Sequence, residues 1–188
     1  MNHRLISLLA FLPAFLYAAS ISAASSGPAV GSIAPDFKAR NLVTGERVPL
    51  SSQRGKVVIV TFWATWCAPC RKELPILEGT QKLVGKERLT VFAVSYRDKD
   101  AARAIVKQAS TWQINLVDDS NGWIAGHYSI SSIPHMFIIG RDGTILANHV
   151  GYGERTLEEF VTEINQALRK PTPTEPNDSP ASASPPST

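Results

Sequence analysis

Cysteine is scarce in this chain of 188 residues, and the two that occur, Cys67 and Cys70, lie three positions apart. A framework of structural disulfides needs more cysteines at wider spacing. A structural zinc site usually takes four ligands, often supplied as two such pairs. The chain has four scattered histidines and only two methionines, so we expect no metal site.

Blocks of charge are also missing. The formal net charge is +3 and charged residues make up 19% of the chain. No cluster of lysine and arginine with interleaved aromatic residues is present, so we expect no nucleic-acid partner. Hydrophobic residues amount to 44%, which is ordinary for a globular protein with a buried core. The length favours one domain.

The two ends of the chain differ in composition from its middle. Residues 1–24 combine a short positive start, an apolar run over residues 5–17 and small residues before position 25, as signal peptides do. An uncleaved membrane anchor is the alternative, because the apolar run approaches the length that crosses a bilayer of about 30 Å. Residues 171–188 are rich in proline, serine and threonine, which predicts a disordered tail. We therefore expect one folded domain over residues 25–170, located in the periplasm or elsewhere outside the cytoplasm.

Strand and helix patterns alternate within this domain. Continuous apolar runs indicate strands buried on both faces, and apolar residues at helical spacing indicate amphipathic helices. The sequence predicts a hairpin-like lead-in over residues 31–50, strands over 56–63, 89–95, 115–117, 135–139 and 144–150, and helices over about 68–84, 98–111, 121–128 and 156–169. This order predicts an α/β fold with a mixed central sheet and helices on both faces.

The cysteine pair lies where the first long helix is predicted to begin. Unpaired N–H groups and the helix dipole at such a position favour a thiolate on Cys67. Cys70, one turn further along, should be more buried. We expect Cys67 to attack a substrate disulfide and Cys70 to resolve the mixed disulfide. A purely structural bridge is the alternative, but one that closes so short a loop constrains the unfolded chain little.

Two further features accompany the pair. Trp66 precedes the nucleophile and is expected to shield one side of it, whereas Trp63 is expected in the core. Pro134 opens a predicted strand, a position in which proline is tolerated but which suggests an additional role.

The chain resembles the TlpA/ResA-like thioredoxins, which are extracytoplasmic thiol–disulfide reductases and include the cytochrome c maturation reductases. Residues 62–75, FWATWCAPCRKELP, are similar to the active-site segment of that family. Residues 31–37, GSIAPDF, are similar to its N-terminal hairpin, which AhpC/TSA peroxiredoxins share, and residues 133–143 to its segment with a cis-proline. Residues 112–130 match the strand and helix by which the family exceeds plain thioredoxin. The resemblance covers about residues 31–168.

This resemblance implies a thioredoxin fold and roles for further residues. The Ile133–Pro134 bond would be cis and face the cysteines, with the backbone of Ile133 pairing with an extended substrate. Glu73 would be a carboxyl with a raised pKa that takes the proton of Cys70. Thr61 stands where plain thioredoxin has a buried aspartate. His135 is expected either to tune the pKa of the site or to face solvent.

The expected function is reduction of disulfides in exported proteins by a monomer that a membrane thiol donor keeps reduced. The Cys67–Cys70 disulfide would be the redox centre, with no other cofactor, and cytochrome c or metal-centre maturation is a candidate setting. The Ala68-Pro69 spacer is closer to the Gly-Pro of thioredoxin than to the Pro-His of strong oxidants. Three alternatives stay open: a disulfide oxidase or isomerase, a copper-binding chaperone and a peroxiredoxin-like peroxidase.

Overall fold

The computed structural model describes residues 27–105 and 108–171. The predicted signal segment over residues 1–24 lies outside the described residues, as does the predicted tail from residue 172 onward. In chain order the elements are β1 (Lys38–Arg40), β2 (Arg47–Pro49), a 3-10 turn (Ser51–Gln53), β3 (Val57–Trp63), α1 (Ala68–Val84), β4 (Leu89–Ser95), α2 (Ala101–Ile105), β5 (Asn115–Val117), α3 (Trp123–His127), β6 (His135–Ile139), β7 (Ile145–Val150) and α4 (Glu154–Arg169).

Strand β3 is the centre of a five-stranded sheet with the order β5-β4-β3-β6-β7. It runs parallel to β4 and antiparallel to β6, and the antiparallel hairpin β6–β7 forms one side of the sheet, with β7 at its edge. All seven residues of β3 are buried, as its continuous apolar sequence predicts for a strand covered on both faces. The predicted mixed sheet and the α/β class are confirmed, and β1 and β2 form the predicted N-terminal hairpin.

Each face of the sheet has its own core. On one face, Ile59 and Trp63 of β3 pack with Leu77 of α1 and with Phe160 of α4. On the other face, apolar residues of β3 pack with the N-terminal hairpin and α3 in an aromatic cluster that includes Phe37, Phe62, Phe92, Tyr128 and Phe137. Because both cysteines belong to the first core, we call that side the cysteine face.

Helix α2 is shorter than the sequence predicts. Its described part is Ala101–Ile105, residues 106 and 107 lie outside the described part of the chain, and residues 108–111 form turns and a bend rather than the expected continuation. Beyond these turns, the backbone N–H groups of Gln113 and Ile114 donate to the carboxylate of Glu78 in α1, at distances of 2.9 to 3.1 Å. No helix within the described residues is long and apolar enough to cross a membrane.

Candidate active site

Cys67 is the residue immediately before α1, where the sequence predicts it, and Pro69 lies in the first turn of the helix. The Cys67 Sγ atom accepts a hydrogen bond from the backbone N–H of Cys70 at 3.3 Å. The two cysteines form a disulfide, with Cys67 5% exposed and Cys70 1% exposed. After reduction the same N–H group and the positive end of the helix dipole favour a thiolate at Cys67. Of the two sulfurs, that of Cys67 is thus the one at the start of the helix.

The loop in front of Cys67 is held by the carboxylate of Asp98, which follows β4. Asp98 Oδ2 accepts hydrogen bonds from the backbone N–H and the hydroxyl of Thr65, at 2.6 and 2.7 Å. Burial raises the pKa of Asp98, but the bonds from Thr65 and from the start of α2 outweigh it and hold the pKa below its ordinary value. Arg71 donates to the carbonyl oxygen of Thr65 from the other side. The approach to the cysteines is thus fixed by three side chains.

Glu73 lies one helical turn beyond Cys70 and is only 4% exposed. Its Oε1 atom accepts a hydrogen bond of 2.7 Å from the Thr61 hydroxyl, and its Oε2 atom is buried without a partner. Burial raises the pKa of Glu73 to about 7, an effect that the Thr61 bond and the positive charge of His149 partly offset. A carboxyl with this pKa can both accept and release a proton near neutral pH.

Thr61 therefore has a function at the site that the sequence analysis missed. We identified it only as the position at which plain thioredoxin has an acid. In the structure its hydroxyl holds the carboxyl that α1 supplies. The sequence signal that could have shown this is the pairing of a polar residue in an otherwise apolar buried strand with a glutamate on the inner face of the next helix.

The Ile133–Pro134 bond is cis, as the resemblance implies. Pro134 is buried, its carbonyl oxygen accepts from the N–H of Gly151 at 2.8 Å, and Ile133 packs against the core that contains the cysteines. Trp66 is 66% exposed beside Cys67. An apolar surface is therefore available next to the disulfide.

His135 does not face solvent, which was one of our two expectations. It is buried rather than facing solvent, and it belongs to the opposite face from the cysteines, where its ring stacks on Phe137 at 4.8 Å. Its Nε2 atom lies 2.6 Å from Asn148 Oδ1, and burial lowers its pKa below the ordinary value. Within residues 27–105 and 108–171, no cluster of three or more histidine, cysteine, aspartate or glutamate residues could hold a metal ion.

A strand–disulfide–helix unit on a mixed sheet, with a buried carboxyl beside it and a cis-proline opening β6, defines a thiol–disulfide oxidoreductase of the thioredoxin fold. The chain belongs to the AhpC/TSA family, whose model matches residues 30–148.

Individual relatives agree with this class. The chain is 36% identical to thioredoxin-like protein YneN of Bacillus subtilis (strain 168) over 124 residues, which cover 64% of this chain and 71% of that protein. It is 30% identical to thiol-disulfide oxidoreductase ResA of Bacillus thuringiensis subsp. konkukian (strain 97-27), with 72% of this chain and 78% of that protein covered. The crystal structure of the thioredoxin domain of a thiol-disulfide oxidoreductase from Bacteroides vulgatus superposes with a TM-score of 0.57 at 33% identity and covers 71% of this chain and 98% of that domain.

Proposed function

We propose that this protein reduces disulfides in exported proteins through a cycle between the Cys67–Cys70 disulfide and the dithiol. The observation that carries the proposal is the position of Cys67 Sγ at the start of α1, where it accepts the N–H of a more deeply buried Cys70. The Cys67 thiolate attacks one sulfur of the substrate disulfide and releases the other as a thiolate. The Cys70 thiolate then attacks Cys67 Sγ, releases the second substrate thiolate and restores the disulfide.

Glu73 is the proposed base of the second step. Its carboxylate takes the proton from the Cys70 thiol, and the pKa of about 7 permits this transfer near neutral pH. A thiol with an ordinary pKa of about 8.5 is mostly protonated at that pH, so a nearby base accelerates resolution. Glu73→Gln should keep the fold and slow resolution more than attack by Cys67.

The substrate-binding residues in this proposal are Trp66, Ile133 and Pro134. Neither the N–H nor the C=O of Ile133 is hydrogen-bonded within the described part of the chain, so both can pair with an extended substrate segment. Such pairing places the substrate disulfide alongside the cysteines and binds substrates of varied sequence, because it uses their main chain. Trp66 adds an exposed aromatic surface beside Cys67.

The setting proposed for this chemistry is the periplasm or another extracytoplasmic compartment, on the strength of the signal-like residues 1–24. A membrane thiol donor returns the two electrons that each substrate consumes. Apoproteins of cytochrome c or of other metal centres are a fitting substrate class, because their cysteines must be reduced before they bind the group. The protein acts as a monomer and needs no cofactor other than its own disulfide.

The equilibrium potential of the Cys67–Cys70 couple tests the direction of the reaction. We expect a value below about −220 mV against glutathione, in the range of reducing members of this fold. A value near −120 mV is that of a strong oxidant and would reverse the proposed direction. Covalent trapping tests the roles of the cysteines: Cys70→Ala should accumulate a mixed disulfide with substrate and Cys67→Ala should not, and equal trapping would contradict the assignment.

A further inference from the structure

Three cations of the N-terminal hairpin lie on one face of it. Lys38 and Arg40 of β1 are two residues apart, and Arg47 of β2 lies directly opposite Arg40. All three are exposed, whereas Ala39 between the first two is buried in the core. Because alternate residues of a strand share a face, the three side chains project from the outer side of the hairpin. Within the part of the chain that the structure describes, none of them makes an ion pair or a hydrogen bond.

The opposition of Arg40 and Arg47 is unfavourable for the hairpin by itself. The N–H of Asn41 donates to the carbonyl oxygen of Glu46 at 2.7 Å. The adjacent pair Arg40–Arg47 is therefore of the non-hydrogen-bonded type, in which opposite side chains lie closest. Like charges at such positions destabilise a pair of strands. A bound anion relieves this repulsion, whereas a hairpin with only a structural role gains nothing from it.

The three cations line a groove with a volume of about 360 Å³. The rest of its lining comes mainly from the segment between β5 and α3, where the Trp123 side chain is 52% exposed and its ring lies 4.2 Å from that of His127. Tryptophan and arginine are among the residues enriched at the energetic centres of protein interfaces. We call this surface the basic groove and define it by Lys38, Arg40, Arg47, Asp118, Asn121 and Trp123.

Two carboxylates also lie at the groove, and both already accept backbone hydrogen bonds. Asp119 is buried, and its two oxygens accept the N–H groups of Ile124 and Ala125 at 2.9 Å each. Asp118 is exposed, and its Oδ1 atom accepts the N–H of Ser120 at 3.1 Å. Among the described residues, neither carboxylate forms an ion pair with a cation of the hairpin. The positive charge of the groove is thus available to a ligand.

Arg97 extends the basic surface from this groove toward the cysteines. Its φ of 49° lies in the left-handed region, which is uncommon for arginine. Its side chain lies against Gly122, where a Cβ atom would be 2.7 Å from Arg97 Nε, and its guanidinium carbon lies 5.7 Å from the centre of the Tyr96 ring. The N–H of Tyr96 donates to the carbonyl oxygen of Trp63 at 2.6 Å, at the end of β3 that precedes Cys67. The groove and the redox site are therefore parts of one continuous surface.

We propose that the basic groove, together with Arg97, docks an acidic segment of the protein substrate. Carboxylates of that segment pair with the guanidinium groups, and its apolar side chains pack on Trp123, so that the substrate disulfide is held near Cys67. The groove fits a peptide better than a membrane, because exposed Asp118 repels an anionic lipid surface, whereas its Oδ2 atom can accept an N–H group of a peptide. That the occupant is a disulfide substrate rests on the proposed function.

Two peptide disulfides test the preference, one with a glutamate-rich extension and one with glutamine at the same positions. The wild type should prefer the glutamate-rich peptide about tenfold in kcat/KM, and the difference should lie in KM, because docking precedes the chemical step. In Arg40→Gln/Arg47→Gln the preference should fall about fivefold, as expected for the loss of two exposed ion pairs. An ionic strength of about 1 M, at which the Debye length is about 3 Å, should remove most of the wild-type preference.

Lys86→Gln/Arg88→Gln is the matched control for net charge. Both residues are exposed cations between α1 and β4, and neither lines the basic groove. The control should keep the wild-type preference, although its net charge changes as much as that of the double variant in the groove. An equal loss of preference in the control would show a general effect of charge and would overturn the proposal.

Arg47→Glu separates docking from folding. The new carboxylate lies directly opposite Arg40, so the cross-strand pair becomes one of opposite charges and the free energy of unfolding should stay the same or rise. The preference for the glutamate-rich peptide should nevertheless fall as far as in Arg40→Gln/Arg47→Gln, because the net charge of the groove changes equally. A stable Arg47→Glu protein with the full preference would contradict docking at this site.

A glutamate-rich peptide without cysteine tests docking without redox chemistry. Its binding to the oxidised protein should change the tryptophan fluorescence, and Trp123→Phe should abolish that change. Equal kcat/KM for the two peptide disulfides in the wild type, or binding of anionic phospholipid vesicles but not of this peptide, would overturn the proposal. The groove and the proposed function fail separately. A protein that binds the peptide and reduces no disulfide keeps the groove and loses the function, whereas an active protein without the preference loses only the groove.

Discussion

At the scale of single residues, this protein shows that a buried carboxyl beside a redox-active disulfide can come from a helix rather than from a strand. Thr61 of β3 contributes only a hydroxyl, and Glu73 of α1 supplies the acid to which it is bonded. The single hydrogen bond leaves the carboxyl with a pKa of about 7, because burial outweighs that bond. The Thr61 hydroxyl therefore adjusts the pKa of Glu73 but is not itself an acid at this site.

Thr61→Val tests this adjustment, because valine keeps the shape of threonine and removes the hydroxyl. The bond from Thr61 lowers the pKa of Glu73, so its loss should raise that pKa above about 7. A hydrogen bond to a charged group contributes about 1.5 kcal/mol or more, which corresponds to a shift of about one pH unit in the rising limb of the activity profile. Thr90→Val is the control, because it removes a side-chain hydrogen bond to Gln53 from the neighbouring strand β4. If the rising limb of the activity profile does not move in Thr61→Val, the Thr61 hydroxyl does not adjust the pKa of Glu73.

His135 makes a second prediction at this scale, concerned with stability. Burial lowers its pKa below the ordinary value of 6.5, so in the window below pH 6.5 the unfolded chain binds more protons than the folded one. Its contribution to stability is therefore complete above pH 6.5 and declines as the pH falls toward the lowered value. His135→Phe keeps the stack on Phe137 and removes the titration.

The measurement is urea unfolding of the oxidised wild type and of His135→Phe from pH 5 to 8. The difference in unfolding free energy should be constant above pH 6.5 and should shift against the wild type below it, by at most about 1.4 kcal/mol per pH unit. The potential of the cysteine couple should be the same in both proteins, because His135 lies on the opposite face of the sheet. A potential that shifts with this substitution would show that His135 tunes the site after all.

At the scale of elements, the sequence predicted best the segments whose structure depends on their own residues. The strands β4, β5 and β6 have the predicted bounds, and α1 ends at the predicted Val84. Their apolar runs and the proline in the first turn of α1 are local signals. Helices α2 and α3 were predicted too long, because residues 108–111 are not helical and α3 begins only at Trp123. The carboxylate of Asp119 takes the N–H groups of Ile124 and Ala125 at the start of α3.

The loop between β3 and α1 depends on another element in the same way, which gives a third prediction. Asp98 follows β4 and holds Thr65 by two hydrogen bonds, one step before Trp66 and Cys67. Asp98→Ala should release this loop and remove a cap of α2, at a cost of about 1 to 3 kcal/mol in unfolding free energy. Because Cys67 ends this loop, its sulfur should move relative to the Cys70 N–H that stabilises the thiolate, so the Cys67 pKa should rise and the potential of the couple should change with it.

A matched control exists in the turn between β6 and β7. Asp142 accepts from the backbone N–H and the hydroxyl of Thr144, both at 2.9 Å, which reproduces the contacts of Asp98 with Thr65. Asp142→Ala should therefore lower stability and leave the thiol pKa of Cys67, followed by thiolate absorbance, at its wild-type value. If both variants alter that pKa equally, the effect of Asp98 is general destabilisation and not control of the loop.

At the scale of the whole molecule, the sheet separates two tasks. The cysteine face carries the disulfide, Glu73 and the pair of His149 with Glu163, whereas the other face is an aromatic cluster that includes buried His135. The fold and the position of the cysteine pair at the start of a helix could be predicted from the sequence, because both depend on the residues of short segments. The placement of Thr61, Asp98 and His149 relative to the site could not be predicted in this way, because it depends on strand register and on contacts between distant positions.

The proposed direction of electron flow makes a prediction for the molecule as a unit. Folding, unfolding, oxidation and reduction form a thermodynamic cycle, so the potential of the folded couple differs from that of the unfolded chain by the difference in stability between the oxidised and reduced forms. A strong oxidant of this fold has a stabilised reduced form. A reductase requires the reverse, so the oxidised protein should unfold at a higher urea concentration than the dithiol.

Each 30 mV by which the folded couple is more reducing than the unfolded chain corresponds to about 1.4 kcal/mol. Urea titrations of both forms, with the potential of the unfolded chain measured in denaturant, close the cycle independently of any substrate. A dithiol form that is the more stable of the two would mean that the fold favours reduced cysteines, and the protein would then deliver disulfides instead of removing them.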